Sequence, residues 1–291
     1  MSREESNGVS RRKILLGASA GMAAMAASSI GMAASAGADR QVSGQTQDLL
    51  GKRALVTGAS RGIGAGIAQE LASRGADVAI TYLNSPDQAA AVIRDIQSKG
   101  RRGLAIKADS GNAAEVKRSV EQAVEGLGGL DILVNNVGIS RSGPLAEMSL
   151  VDIDDVLHVN ARSAALASQA AIAHLGQGGR IITIGSCLAE RVPYPNLTVY
   201  SMSKSALLAF TRGLARELGP RDITVNLVQP GPIDTDQNPA DGDWAEPNRR
   251  LTSLGRYGAP ADIGAAVAFL ASPGGQFMTG SVVTVDAGFN A

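Results

Sequence analysis

Lys52-Arg53-Ala54-Leu55-Val56-Thr57-Gly58-Ala59-Ser60-Arg61-Gly62-Ile63-Gly64 decides the architecture of this chain. Ala54-Leu55-Val56 reads as a short buried strand, and Ile63 to Arg74 has the apolar spacing of a helix. Between them stand glycines at 58, 62 and 64, a three-then-one spacing that departs from G-x-G-x-x-G. A strand that turns through glycines directly into a helix gathers backbone N–H groups and the positive end of the helix dipole around one point. A pyrophosphate can be held there. Gly58, Ser60, Arg61, Gly62, Ile63 and Gly64 are therefore candidate cofactor-binding residues.

Outward from this loop the pattern repeats. Apolar strands are predicted at 77–82, 103–107, 130–134, 180–184, 223–228 and 281–285, making seven with the first. Helical segments at 89–98, 113–126, 153–174, 200–218 and 260–271 separate them. Strands alternating with helices predict an α/β protein with a Rossmann-type, doubly wound, seven-stranded parallel sheet in a single domain over residues 50–291.

A second group of residues suggests chemistry. Tyr200-Ser201-Met202-Ser203-Lys204 puts a phenol and an ammonium four residues apart on a predicted helix, hence on one face, with Ser186 fourteen residues upstream. An unperturbed phenol titrates near about pH 10, and a neighbouring cation favours the phenolate. Tyr200 is thus a candidate proton donor and acceptor, and Ser186 can offer its hydroxyl to the same carbonyl oxygen.

Charge narrows the partners. With 27 basic and 27 acidic residues the net charge is zero, so no overall field favours nucleic acid or an anionic membrane, and a small-molecule substrate is expected. The single cysteine, Cys187, excludes an intramolecular disulfide and a multi-cysteine metal site. With only His158 and His174 besides, sixteen apart in one helical segment, no metal site is expected. Cys187 itself reads as a small buried residue, since no basic partner is evident.

The N-terminus differs from the rest. Ser10-Arg11-Arg12-Lys13-Ile14-Leu15-Leu16 opens an Ala/Gly/Ser/Met-rich run to Ala38, with small residues for cleavage at Ala34-Ser35-Ala36 and Ala36-Gly37-Ala38. Residues 1–38 resemble a twin-arginine-type signal peptide, 39–49 read as a linker, and the mature form is expected in the bacterial periplasm, without a membrane anchor. Without a working signal the chain would stay cytoplasmic.

These pieces together resemble the classical short-chain dehydrogenase/reductase family, over roughly Leu50 to Ala291. The match is carried by the loop at 57–64, Asn135-Asn136-Val137-Gly138, Asn160, Ser186, Tyr200 with Lys204, Pro230-Gly231-Pro232-Ile233 and Asp286-Ala287-Gly288. The subgroup is similar to 3-oxoacyl-carrier-protein reductases. Val137 stands where Ala is usual and Ala287 where Gly is usual. The resemblance implies hydride transfer between a nicotinamide nucleotide and a carbonyl or alcohol. Lys204 would bind the nicotinamide ribose, and Asn160 would hold a water linking Lys204 to solvent. It places Asp109 and Ser110 beside the adenine, Asn136 along the cofactor, and Pro230, Gly231 and Ile233 at the nicotinamide end. It also implies a homotetramer paired through the helices at 153–174 and 200–218.

Cofactor choice is read at the ribose. A carboxylate after the second strand would bind the 2′-hydroxyl and repel a 2′-phosphate, but Tyr82-Leu83-Asn84-Ser85 contains no acid, and Arg61 can meet a phosphate. NADP is expected over NAD, with Asn84 able to bond a ribose hydroxyl. Asp234 to Leu254, rich in Pro, Asp, Gly and Asn, reads as a mobile lid, with Tyr194 and Trp244 lining the substrate pocket. Two alternatives stand beside this reading. An epimerase or dehydratase on the same fold would carry a larger C-terminal substrate domain, for which the chain has no room. A non-catalytic dinucleotide sensor would have no need of Ser186, Tyr200 and Lys204.

Overall fold

The structure is a computed structural model, described over residues 46–291; the expected signal segment 1–38 and linker residues 39–45 lie outside the described residues. In chain order the elements are β1 (Arg53–Val56), α1 (Gly62–Ser73), β2 (Asp77–Tyr82), α2 (Pro86–Ser98), β3 (Gly103–Lys107), α3 (Ala113–Leu127), β4 (Ile132–Asn135), α4 (Leu150–Leu157) and α5 (Ser163–Ile172). They continue with β5 (Arg180–Ile184), α6 (Thr198–Leu218), β6 (Thr224–Pro230), α7 (Ala245–Leu251), α8 (Pro260–Ala271) and β7 (Val282–Val285). The seven strands form one parallel sheet in the order β3-β2-β1-β4-β5-β6-β7. The order reverses between β1 and β4, which opens a crevice at their carboxyl ends.

Helices cover both faces, and for that reason every residue of β5 and β6 is buried, the polar Thr183, Asn226 and Gln229 among them. On one face Ile67 and Leu71 of α1, Val92 and Ile96 of α2, and Ile263 and Val267 of α8 pack on Val56, Ile80 and Val134. On the other, Val116 and Val120 of α3, Ala167 and Ala171 of α5, and Leu214 and Leu218 of α6 pack on Leu55, Leu133, Ile181 and Val225. Helices α1 and α8 touch backbone to backbone: a Cβ on Gly264 would lie 2.8 Å from the Gly66 oxygen. That contact anchors the glycine loop, which leads into α1, against the second half of the sheet.

Three details differ from the sequence-based expectation. The end of the expected linker is part of the fold, since Leu49 is fully buried, Asp48 pairs with Arg74, and Gln47 donates to the Ser73 carbonyl. The helix expected over 153–174 is interrupted by a π turn at His158–Arg162 between α4 and α5. Such a turn inserts an extra residue into the helix and redirects side chains, here Asn160. Within the expected lid lies a short helix, α7, whose proline at 247 falls in the first turn, where a missing N–H costs nothing.

Candidate active site

The glycine loop is built to receive an anion. Gly58 and Gly62 adopt φ of +62° and +56°, the left-handed region that glycine enters without strain. Helix α1 begins on Arg61 with no side-chain cap and no acidic residue in its first turn, so its leading N–H groups and dipole are unneutralised by the protein. The loop is fixed from behind. The Gly58 N–H donates to Thr81 Oγ1 at 2.9 Å, and Asn136 Nδ2 donates to the carbonyls of Thr57 and Gly58 at 2.9 and 3.1 Å. Asn136 thus spends both amide hydrogens on shaping the loop. The backbone N–H groups of Asn136 and Val137 both donate to Thr57 Oγ1.

Next along the crevice, β2 ends at Tyr82 and leads to the exposed Leu83 and Asn84 without a carboxylate. Asp109 turns its Oδ1 back to the Gly111 N–H, beside Ser110. Gly231 presses on Asp286, where a Cβ would come within 2.5 Å of Cα, so only glycine fits between β6 and the C-terminal turn. Ile233 is buried beyond Pro230. An uncapped helix start, glycines in place of side chains and an exposed guanidinium at Arg61 together fit a phosphorylated dinucleotide.

The candidate catalytic residues converge at the ends of β4, β5 and α6. Ser186 follows β5, is buried, and accepts a hydrogen bond from the Leu188 N–H at 3.1 Å, which leaves its own O–H available to a ligand. Burial pushes the Tyr200 phenol above its ordinary range, while the Ser186 hydroxyl facing it acts in the opposite direction. Lys204 is 4% exposed and donates from Nζ to the Ile184 carbonyl at 3.0 Å; burial pulls its pKa down to about 8. Its Nζ sits 5.9 Å from the Tyr200 ring centroid. The lowering of the phenol's pKa expected from Lys204 is not found: burial raises it, and the opposing influence comes from the Ser186 hydroxyl.

Asn160, aimed by the π turn, bridges two elements. Its Nδ2 donates to the Ile139 carbonyl and to Ser203 Oγ, both at 2.9 Å, and its Oδ1 accepts from the Ile139 N–H at 2.8 Å. Ser203 in turn donates to the Tyr200 carbonyl at 2.6 Å. The segment after β4 is thereby bolted to the Tyr200 helix. A Cβ on Gly138 would lie 3.1 Å from Lys204 Nζ and 3.6 Å from Asn160 Oδ1, so both atoms border one small gap beside Gly138. Ser203 is a member of this network that the sequence reading passed over. Its signal was there: a serine three residues after Tyr200 lies on the inward helix face, where a polar group needs a partner.

Cys187 is buried and its thiol is pushed up to about 12, chiefly by burial, so it is inert beside Ser186. Its carbonyl accepts from Asn290 Nδ2 at 2.8 Å, while Arg191 donates to the Phe289 carbonyl at 2.6 Å. The buried Phe289 and the half-buried Asn290 therefore buttress the Ser186 loop. On the open side, Tyr194 and Trp244 meet edge to face, with centroids 5.3 Å apart and an angle of 60°. Tyr194 Oη donates to Asn248 Oδ1, Asn248 Nδ2 donates to Tyr257 Oη, and Tyr257 Oη donates to Asn238 Oδ1. The lid is thus a hydrogen-bonded unit, and Arg61 pairs with its Asp236 at 3.3 Å.

Comparison with known proteins agrees with this arrangement. A family model described as enoyl-(acyl carrier protein) reductase matches residues 58–290. A short-chain dehydrogenase from Burkholderia cenocepacia, solved in complex with NADP, is 54% identical with a TM-score of 0.83, covering 84% of this chain and all (100%) of that one. The cyclic-di-GMP-binding biofilm dispersal mediator protein of Escherichia coli K12 is 40% identical over 83% of this chain and 98% of its own length. The hydroxynaphthalene reductase-like protein Arp2 of Metarhizium majus is 40% identical over 83% of this chain and 96% of its own. The chain belongs to the classical short-chain dehydrogenase/reductase family. It is an oxidoreductase by that membership.

Proposed function

We propose that this protein interconverts a small carbonyl compound and its alcohol using NADP. The observation that carries the reading is Ser186, which takes the Leu188 N–H on its oxygen and faces the Tyr200 phenol, with Lys204 buried one helical turn further on. When bound, the nicotinamide supplies or accepts the hydride. Tyr200 holds the proton at Oη for the carbonyl oxygen, and Ser186 donates a second hydrogen bond to the same atom as charge grows there. Lys204, charged below about pH 8, supports that charge from behind. NADP is favoured over NAD by Arg61, by the lack of a carboxylate at 82–85, and by the NADP carried by the Burkholderia neighbour. Screening ketones and alcohols with purified protein while following NADPH absorbance tests this. No turnover with any, together with an unchanged profile in Tyr200→Phe, would overturn it.

One observation favours a second reading, a dinucleotide-sensing binding protein: the likeness to the Escherichia coli protein named for cyclic-di-GMP binding. Calorimetric titration with that dinucleotide, in the presence and absence of NADP, separates the two. The reading further takes the mature protein to be a homotetramer, supported by the exposed Leu150 and Val151 on α4 and by alanine-rich α5. Light scattering tests it. Export to the periplasm is supported by Arg11-Arg12 ahead of the small-residue run, and fractionation of cells making an Arg11→Lys, Arg12→Lys variant tests that.

A further inference from the structure

Arg61 and Asp236 are 175 positions apart and come from opposite walls of the crevice: the glycine loop and the lid. Thr235 lies against the loop as well, since a Cβ on Gly62 would be 3.4 Å from its Cγ2. The two charged side chains are 45% and 63% exposed, so their pairing is weak and readily exchanged for a stronger partner. A phosphate dianion is such a partner, because a guanidinium binds it bidentately and with more charge.

Resting on the reading that NADP is the cofactor, we infer that Asp236 is a specificity-determining residue through which a 2′-phosphate on Arg61 is communicated to the substrate wall. Arg61 cannot keep its present geometry toward Asp236 while turning to a phosphate, and the carboxylate cannot remain beside that phosphate without repulsion. Asp236 sits inside a tight turn, closed by the Asn238 N–H donating to the Thr235 carbonyl at 2.9 Å. The same Asn238 accepts from Tyr257, Tyr257 accepts from Asn248, and Asn248 accepts from Tyr194, which packs on Trp244. Displacing Asp236 therefore moves a turn that is wired by hydrogen bonds to the aromatic wall. NAD, lacking the 2′-phosphate, leaves Arg61 on Asp236 and the wall where it is.

The chain contains one tryptophan, Trp244, so its fluorescence reports on that wall alone. Adenosine 2′,5′-bisphosphate carries the 2′-phosphate but no nicotinamide, and 5′-AMP lacks both. In the unmodified protein the bisphosphate is expected to change Trp244 emission, and 5′-AMP is not. In Asp236→Asn the response should vanish while calorimetry shows the bisphosphate bound about threefold to tenfold more tightly, as release of an exposed pair allows. In Arg61→Ala the two nucleotides should bind alike. An undiminished response in Asp236→Asn overturns the inference, as does a bound bisphosphate that leaves Trp244 unchanged in the unmodified protein. If the bisphosphate binds the unmodified protein no tighter than 5′-AMP, the NADP reading at Arg61 falls, and this inference with it.

Discussion

Lys204 Nζ donates to the carbonyl oxygen of Ile184, two residues before Ser186, at 3.0 Å. One hydrogen bond for a buried ammonium is too few, and the pKa drops from 10.5 to about 8. The sign of the linkage follows. Above about pH 8 the folded protein releases this proton while the unfolded chain keeps it to about 10.5, so the unfolded state binds more protons and stability rises with pH. The net gain ends early, because Cys187, with its thiol raised from 9.0 to about 12, cancels it once the unfolded thiol ionises, and the sign reverses only above about 10.5, where the unfolded lysine has also lost its proton. Urea melts at pH 8 and 9 should show the unmodified protein gaining about 1 kcal/mol relative to Lys204→Met. Parallel stability curves for the two proteins would contradict the low Lys204 pKa.

Tyr200→Phe preserves the ring and removes the proton. Turnover of any carbonyl substrate should fall by about a hundredfold or more, with nucleotide affinity largely kept, because the lost group acts on the reacting oxygen. Steady-state kinetics paired with calorimetry separates these effects. Turnover near that of the unmodified protein would remove Tyr200 from the chemistry.

Gly58 faces Val137, whose Cγ2 would lie 2.4 Å from a new Cβ. Gly58→Ala therefore combines a left-handed backbone with a clash, and should cost ~2–4 kcal/mol. Adding Val137→Ala removes the Cγ2 clash and leaves the backbone strain with close contacts of 3.3 and 3.4 Å to the Cα and Cβ at 137, so about half the loss should return in denaturant melts of the double variant. No recovery would mean that Val137 is not the obstacle.

Ala287 holds φ of +55°, and its carbonyl accepts the Leu254 N–H at 3.1 Å. Glycine at that position removes the Cβ strain at some cost in unfolded-chain entropy, for a net gain of roughly 0.5–1 kcal/mol. A calorimetric melting temperature lower in Ala287→Gly than in the unmodified protein would refute the strain.

Leu83 is 44% exposed just past the end of β2. Leu83→Asp introduces a carboxylate to which a 2′-hydroxyl donates and which a 2′-phosphate meets with repulsion, so the NADPH to NADH ratio of kcat/KM should fall by about tenfold or more. An unmodified enzyme that already favours NADH would defeat the reasoning.

The sheet was legible because each β–α unit announces itself: Ala54-Leu55-Val56 running into glycines leaves few other structures open. The grouping of Ser186, Tyr200 and Lys204 was legible from helix spacing and order. What escaped depends on pairings between distant residues. Nothing local in Asp234 to Leu254 says that Asp236 meets Arg61, or that Asn248 joins Tyr194 to Tyr257. The π turn at Asn160 escaped for another reason: a one-residue expansion of a helix leaves the apolar spacing on either side intact. The charge balance of the site was misjudged because spacing gives proximity but not solvent exclusion, and for Tyr200 exclusion is the larger effect.

The last residues of the chain pack beneath its reactive serine: Phe289 is buried, and Asn290 holds the Cys187 carbonyl. The seat of the serine is thus held by a segment 103 positions further along the sequence, so damage at Asn290 would reach the Ser186 hydroxyl without altering any residue of the glycine loop or of the helix that carries Tyr200.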